Sequence, residues 1–173
     1  MRVLPAVRLQ IRKGNRPDLQ MVHAGSGERL FSKPQLHAIP LLPLNAATSG
    51  GEGDRRPDFD GVAPQGIIAA PSHWAPNPAF TSCLRVQGNS MAPVLCEGYI
   101  IVIDTTETVP AHLVNKLVVS WQSEKGLTVS WLKVVDGREA LVSENAQYSP
   151  IVLDREKGWR VIGRVIWWIG RDG

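Results

Sequence analysis

Several things are missing from this chain of 173 residues, and each absence removes a class of function. No uncharged apolar stretch approaches the roughly 20 residues that a membrane-crossing helix needs. The run from Met1 to Arg8 has no apolar core of signal-peptide length, so a cytoplasmic location without membrane contact is expected. Cysteine is scarce: Cys83 and Cys96 are too few for a disulfide framework and lie in no Cys-x-x-Cys pair. The histidines His23, His37, His73 and His112 share no ligand spacing with acids or cysteines, so no structural metal is expected and no cofactor is implied. No window of a dozen residues carries the 3.6-residue apolar period of an amphipathic helix. With 43% hydrophobic and 20% charged residues, what remains is one globular, mainly β domain with an arm.

Charge and proline both divide the chain. The net charge is +3, yet residues 1–38 hold seven Lys/Arg against Asp18 and Glu28, a balance of +5, which leaves −2 for the rest. A basic arm of this kind suits nucleic acid or an acidic partner, although it has no interleaved aromatics and no helix-turn-helix pattern. Ten of the thirteen prolines precede residue 80. Residues 45–61 are small, polar and glycine-rich, a linker composition, and residues 64–80 read as an extended lead-in punctuated by proline. The expected organisation is an arm over 1–38, a lead-in over 39–80 and a core over 81–173.

Strand signals fill that core. Cys83 to Val86 reads as a strand followed by a turn at Gly88 to Met91. Tyr99 to Ile103 is near-continuously apolar, which suits a strand covered on both faces. Leu117 to Trp121 is another strand. Leu127 to Val135 and Arg138 to Ser143 flank Asp136-Gly137, the strongest short-range hairpin signal. Trp159 to Ile169, rich in Val, Ile and Trp, closes the core. Successive strand residues face opposite ways, so of Trp167 and Trp168 one packs inside and the other lies on the surface or at a subunit contact. Trp131 and Trp159 read as ordinary core residues.

Chemistry concentrates at Gly88-Asn89-Ser90-Met91. A serine on a tight glycine-led turn after a strand presents its hydroxyl on a corner beside backbone N–H groups, as a nucleophile with an oxyanion site requires. Most Gly-x-Ser turns are only turns. This one is also not the G-x-S-x-G elbow, because Ala92 stands where the second glycine belongs.

The whole run Val86 to Asp104 resembles the Ser-Met-x-Pro-x-Leu-x-x-Gly-Asp-x-hydrophobic-Asp motif of the Ser–Lys peptidases that include the LexA-like (S24) branch and the signal peptidases. Two further stretches resemble the S24 branch: Leu141-Val142-Ser143-Glu144-Asn145-Ala146-Gln147-Tyr148-Ser149-Pro150-Ile151, and Val161-Ile162-Gly163-Arg164-Val165-Ile166-Trp167. Ile39 to Ala47 is similar to the segment that leads into that branch's self-cleavage site. The resemblance spans about residues 39–169. It implies a bent β-sheet body, Ser90 as nucleophile with the N–H groups of Asn89 and Ser90 as oxyanion donors, self-cleavage in stress signalling, and dimerisation.

Two positions depart from the pattern. Family members carry the general-base lysine in a Thr-Val-Lys-Arg-Leu strand, and here Thr128-Val129-Ser130-Trp131-Leu132 matches it, with Ser130 at the lysine position. The nearest lysine, Lys133, is three residues on and falls on the other face of a regular strand. A β-bulge near Trp131 would bring it round; otherwise Lys116 or Lys125 must approach from another strand. Tyr99 replaces the motif's aspartate after Gly98. A cleavage segment, if one works, is expected at Ala46-Ala47-Thr48-Ser49-Gly50, although the only Ala-Gly bond, Ala24-Gly25, lies upstream. The expected partners are therefore this segment or a peptide strand of another protein, and a second copy of the chain. The rival to a working peptidase is a module of the same fold that holds a strand without cutting it.

Overall fold

The structure, a computed structural model, describes residues 18–20, 35–43, 59, 62–154 and 158–170. Ten strands form one mixed sheet among the described residues: β1 (Asp18–Gln20), β2 (Gln35–Leu41), β3 (Gly66–Pro71), β4 (Thr81–Arg85), β5 (Ile100–Asp104), β6 (Leu117–Gln122), β7 (Gly126–Val135), β8 (Arg138–Val142), β9 (Ile151–Val152) and β10 (Arg160–Ile169). Their spatial order is β1-β2-β4-β5-β10-β6-β7-β8-β9, with β3 paired to β2. Every pairing is antiparallel except a parallel contact of β2 and β4 at Leu41 and Cys83. The described helices are three-residue 3-10 turns at Ser72–Trp74, Pro78–Phe80 and Pro110–His112. The mainly β class read from the sequence is the class observed.

The hairpin forms as its turn residues dictate. Asp136 and Gly137 have φ of 51° and 73°, the two positive values of a type I′ turn, which matches the twist of β7 and β8. The proline-rich stretch 64–80 holds an extended strand, β3, which pairs with β2 along six residue pairs from Leu36↔Pro71 to Leu41↔Gly66. Pro40 fits inside β2 because the second edge of that strand meets β1 only at Gln35–His37 and β4 only at Leu41.

Alternation along the central strands feeds separate cores. Ile101 and Ile103 of β5 join Leu84, Val86, Met91, Leu95, Leu117 and Val119 in one cluster, while Val102 faces a second with Ile39, Leu41, Ala70, Ala75 and Cys83. A third cluster gathers Leu113, Val118, Leu132, Leu141, Trp159 and Val161. β5 is thus covered on both faces, as its unbroken apolar run requires. Trp159 is buried, Trp167 packs against the second cluster, and Trp168 is 41% exposed.

Candidate active site

The Ser90 turn is built at the foot of β4. Val86 N–H donates to Tyr99 O and Gly98 N–H to Val86 O, which closes residues 87–97 into a loop. Gly88 and Gly98 take φ of 76° and 86°, a region that side chains disfavour, so both corners need glycine. Within the loop Ala92 N–H donates to Asn89 O and Leu95 N–H to Met91 O. Met91 and Leu95 are buried in the first core cluster and pin the turn from below, leaving Ser90 half-buried at its surface.

A second loop, residues 143–148, grips this turn. Asn145 N–H donates to Ser90 O at 3.0 Å, and Asn145 Nδ2 donates to Asn89 O at 3.2 Å. Tyr148 Oη donates to Asn89 Oδ1 at 2.6 Å. The neighbouring Glu144 accepts a 2.7 Å hydrogen bond from Trp131 Nε1 on β7. Composition and spacing do not reveal these contacts. The only available signal is the Ser-Glu-Asn-x-x-Tyr stretch itself, quoted above for its resemblance.

β7 carries Ser130 and Lys133, the two residues weighed for the base position on the resemblance. It pairs with β6 from Leu117↔Trp131 to Gln122↔Gly126, and with β8 from Trp131↔Val142 to Val135↔Arg138, without a register shift in either ladder. Without a bulge, Lys133 stays in the row of Val129 and Trp131, and Ser130 in the row of Leu132. Leu127, Val129 and Trp131 pack against the cluster that holds Met91, whereas Leu132 packs into the third cluster. Ser130 shares the Leu132 row, opposite Val118, and is 4% exposed. Trp131, expected in the core, is half-buried and tied to the Ser90 side through Glu144.

Lys116, Lys125 and Lys133 are all exposed, and none makes a hydrogen bond to Ser90. Lys125 Nζ lies instead 5.9 Å over the Trp159 ring. A neutral base lysine needs enclosure that penalises its ammonium form. Neither is a thiol available as a substitute nucleophile at Cys83, since burial pushes it up to about 12 and keeps it protonated.

Where β8 parts from β7, after Val142, the chain turns away to hold Ser90. From Gly126 to Ser130, β7 therefore has a strand on one edge only among the described residues. A strand edge with free backbone groups is the kind of edge to which an extended peptide can add. The family model for Peptidase S24-like proteins matches residues 40–166. The chain belongs to the peptidase S24-like family. Comparison with curated proteins gave no match.

S24 membership explains why the Ser90 turn, the Ser-Glu-Asn loop and the closing strand occur together in one sheet. Tyr99, which takes the place of the motif's aspartate, is half-buried against the first core cluster, and its ring lies where a Cβ on Gly170 would collide with it. The cleavage-like segment, Ala46, Ala47, Thr48, Ser49 and Gly50, lies outside the described residues, as does most of the basic arm.

Proposed function

We propose that the protein is an S24-type module which holds an extended peptide strand against the open edge of β7 beside Ser90, and that its hydrolytic power is disabled by the loss of the base lysine. The observation that carries this reading is the regular β7 ladder, which leaves a buried serine at position 130 and an exposed lysine at 133. Ser90 would be the nucleophile, with backbone N–H groups of the turn facing the carbonyl oxygen. Without a group to take the hydroxyl proton it attacks poorly. The strand it holds is this chain's own segment around Ala46 to Gly50, or the corresponding strand of a partner. Resemblance extends the reading to regulated self-cleavage pathways of the stress-response type, in the cytoplasm and as a homodimer. Nucleic-acid contact through the basic arm is a weaker adjunct, and deletion of residues 1–38 would abolish salt-sensitive binding if it occurs.

The test follows intact mass for a day at pH 7 and pH 10 beside Ser90→Ala, with amide spectra recorded during titration by a synthetic peptide of residues 44–52. The chain is expected to stay whole at both pH values, while the peptide shifts amides of residues 126–130. Two fragments from the parent and none from Ser90→Ala would instead establish a working peptidase with another base. An uncut chain whose β7 edge ignores the peptide would remove the binding reading.

A further inference from the structure

We infer that Asn145 is the positioning residue of the Ser90 site: it fixes the peptide planes on both sides of the serine and so aims its hydroxyl. This rests on the reading of Ser90 as a nucleophile and adds how the turn is held in register without a contact from the base. The plane before Ser90 contains Asn89 C=O and the plane after it contains Ser90 C=O. Asn145 holds the first through Nδ2 at 3.2 Å, alongside the Ala92 N–H that donates to the same Asn89 O at 3.1 Å, and the second through its own backbone N–H at 3.0 Å. Two pinned planes leave Ser90 no freedom in φ and ψ, and the Cα–Cβ direction follows from those angles. Because C=O and N–H point oppositely in a trans peptide, the Ser90 N–H is also turned away from the Ser-Glu-Asn loop.

Asn145 is itself fixed. Its Oδ1 accepts from Gln147 N–H at 3.0 Å, and its carbonyl accepts from Tyr148 N–H at 3.1 Å. Tyr148 returns to the same turn through its 2.6 Å bond to Asn89 Oδ1. Asparagine suits this position because it offers a donor and an acceptor on one short side chain. Aspartate keeps the shape, the backbone bond and the acceptor, yet it turns an oxygen toward Asn89 O where a donor is needed.

Phosphonylation of the full chain by a fluorophosphonate, followed by intact mass from pH 7 to pH 10, tests this. Ser90 Oγ forms the O–P bond, fluoride leaves with the P–F electrons, and the hydroxyl proton passes to solvent hydroxide. No built-in base is needed, so the rate reports how the hydroxyl is presented. Asn145→Asp is expected to react about tenfold or more slowly at every pH, with the same pH slope as the parent. Alkylation of the half-exposed Cys96 by iodoacetamide serves as the structural control, since Cys96 lies in the same loop and would react faster if the loop merely opened. A slow Asn145→Asp with unchanged Cys96 alkylation and melting supports the positioning role. Parent-like phosphonylation, or a fall accompanied by faster Cys96 alkylation, overturns it. A parent that reacts no faster than Ser90→Ala would remove the nucleophile reading itself, a separate result. Should Asn145→Asp fail to fold, Tyr148→Phe takes its place. It removes only the hydroxyl on Asn89 and is expected to slow the reaction about threefold, and parent-like reaction there overturns the proposal.

Discussion

Asp104 closes β5 with a carboxylate that is 1% exposed, and its surroundings decide its charge. Burial alone would raise its pKa. The hydrogen bonds donated by Thr106 Oγ1, Asn77 Nδ2 and Thr106 N–H, with the nearby Arg164 charge, outweigh that and hold it below the usual carboxylate range. A carboxyl with a lowered folded pKa stabilises the fold at pH above its unfolded value, about 3.9, and loses that contribution as acid passes through the lower folded value. Asp104→Asn, which leaves donors facing an amide nitrogen or forces them apart, should cost about 1–3 kcal/mol at pH 7. The difference in melting temperature from the parent should begin to shrink below about pH 4, where the unfolded carboxyl takes up its proton while folded Asp104 is still ionised, and should vanish only once acid passes through the lower folded value; a difference constant from pH 7 to pH 3 would show that charge plays no part. At this scale the sequence was readable where a residue type is unusual for its place: Gly88, whose positive φ sets Ser90 on a tight turn. For Trp131 it suggested only a core residue. A tryptophan in a strand reads as core by composition, and only the path of residues 143–148 brings Glu144 to its indole nitrogen.

Strands were legible wherever a single local cause fixes them. Asp136-Gly137 specifies its hairpin by backbone angle, and the Tyr99 to Ile103 run specifies burial on both faces, so both could be read without tertiary knowledge. β2 and β3 were not legible as a pair, because proline lies within β2 and their pairing joins segments separated by residues 42–65. The irregularity of β10 was equally hidden. Its ladder with β6 shifts register between Val161 and Gly163, and its ladder with β5 shifts between Val165 and Trp167. Gly163 sits at the crossing of these two ladders, where a Cβ would collide with the Asp104 carbonyl. Gly163→Ala must push β5 and β10 apart at the centre of the sheet. The expected loss is about 2 kcal/mol, typical of an overpacked core, with an unchanged denaturant slope. An unchanged unfolding midpoint would show that the strands separate there without cost.

At the scale of the whole molecule, the order of three separated stretches was enough to place the chain in its family, since one sheet must bring the Ser90 turn, the Ser-Glu-Asn loop and the last strand together. Association between copies has no such linear signature and depends on what the completed sheet leaves uncovered. β10 pairs with β6 only over Arg160–Arg164, whereas β5 continues along it to Ile169. The edge of Val165–Ile169 that faces away from β5 has no strand beside it among the described residues, and Trp168 and Ile169 are 41% and 42% exposed there. An open antiparallel edge is self-complementary about a two-fold axis, and aromatic side chains standing from it would be covered by the same operation. The second copy expected from the sequence would fit such an edge. Light scattering is therefore expected to return twice the 19.0 kDa chain mass for the parent. Trp168→Glu should return the single-chain mass, because two carboxylates would face each other across the axis where two indoles had been buried. Its melting temperature at high dilution should match that of the parent, since an exposed side chain contributes little to the isolated fold. A parent that stays at 19.0 kDa up to millimolar concentration would mean that the open half of β10 is covered by something other than its own copy.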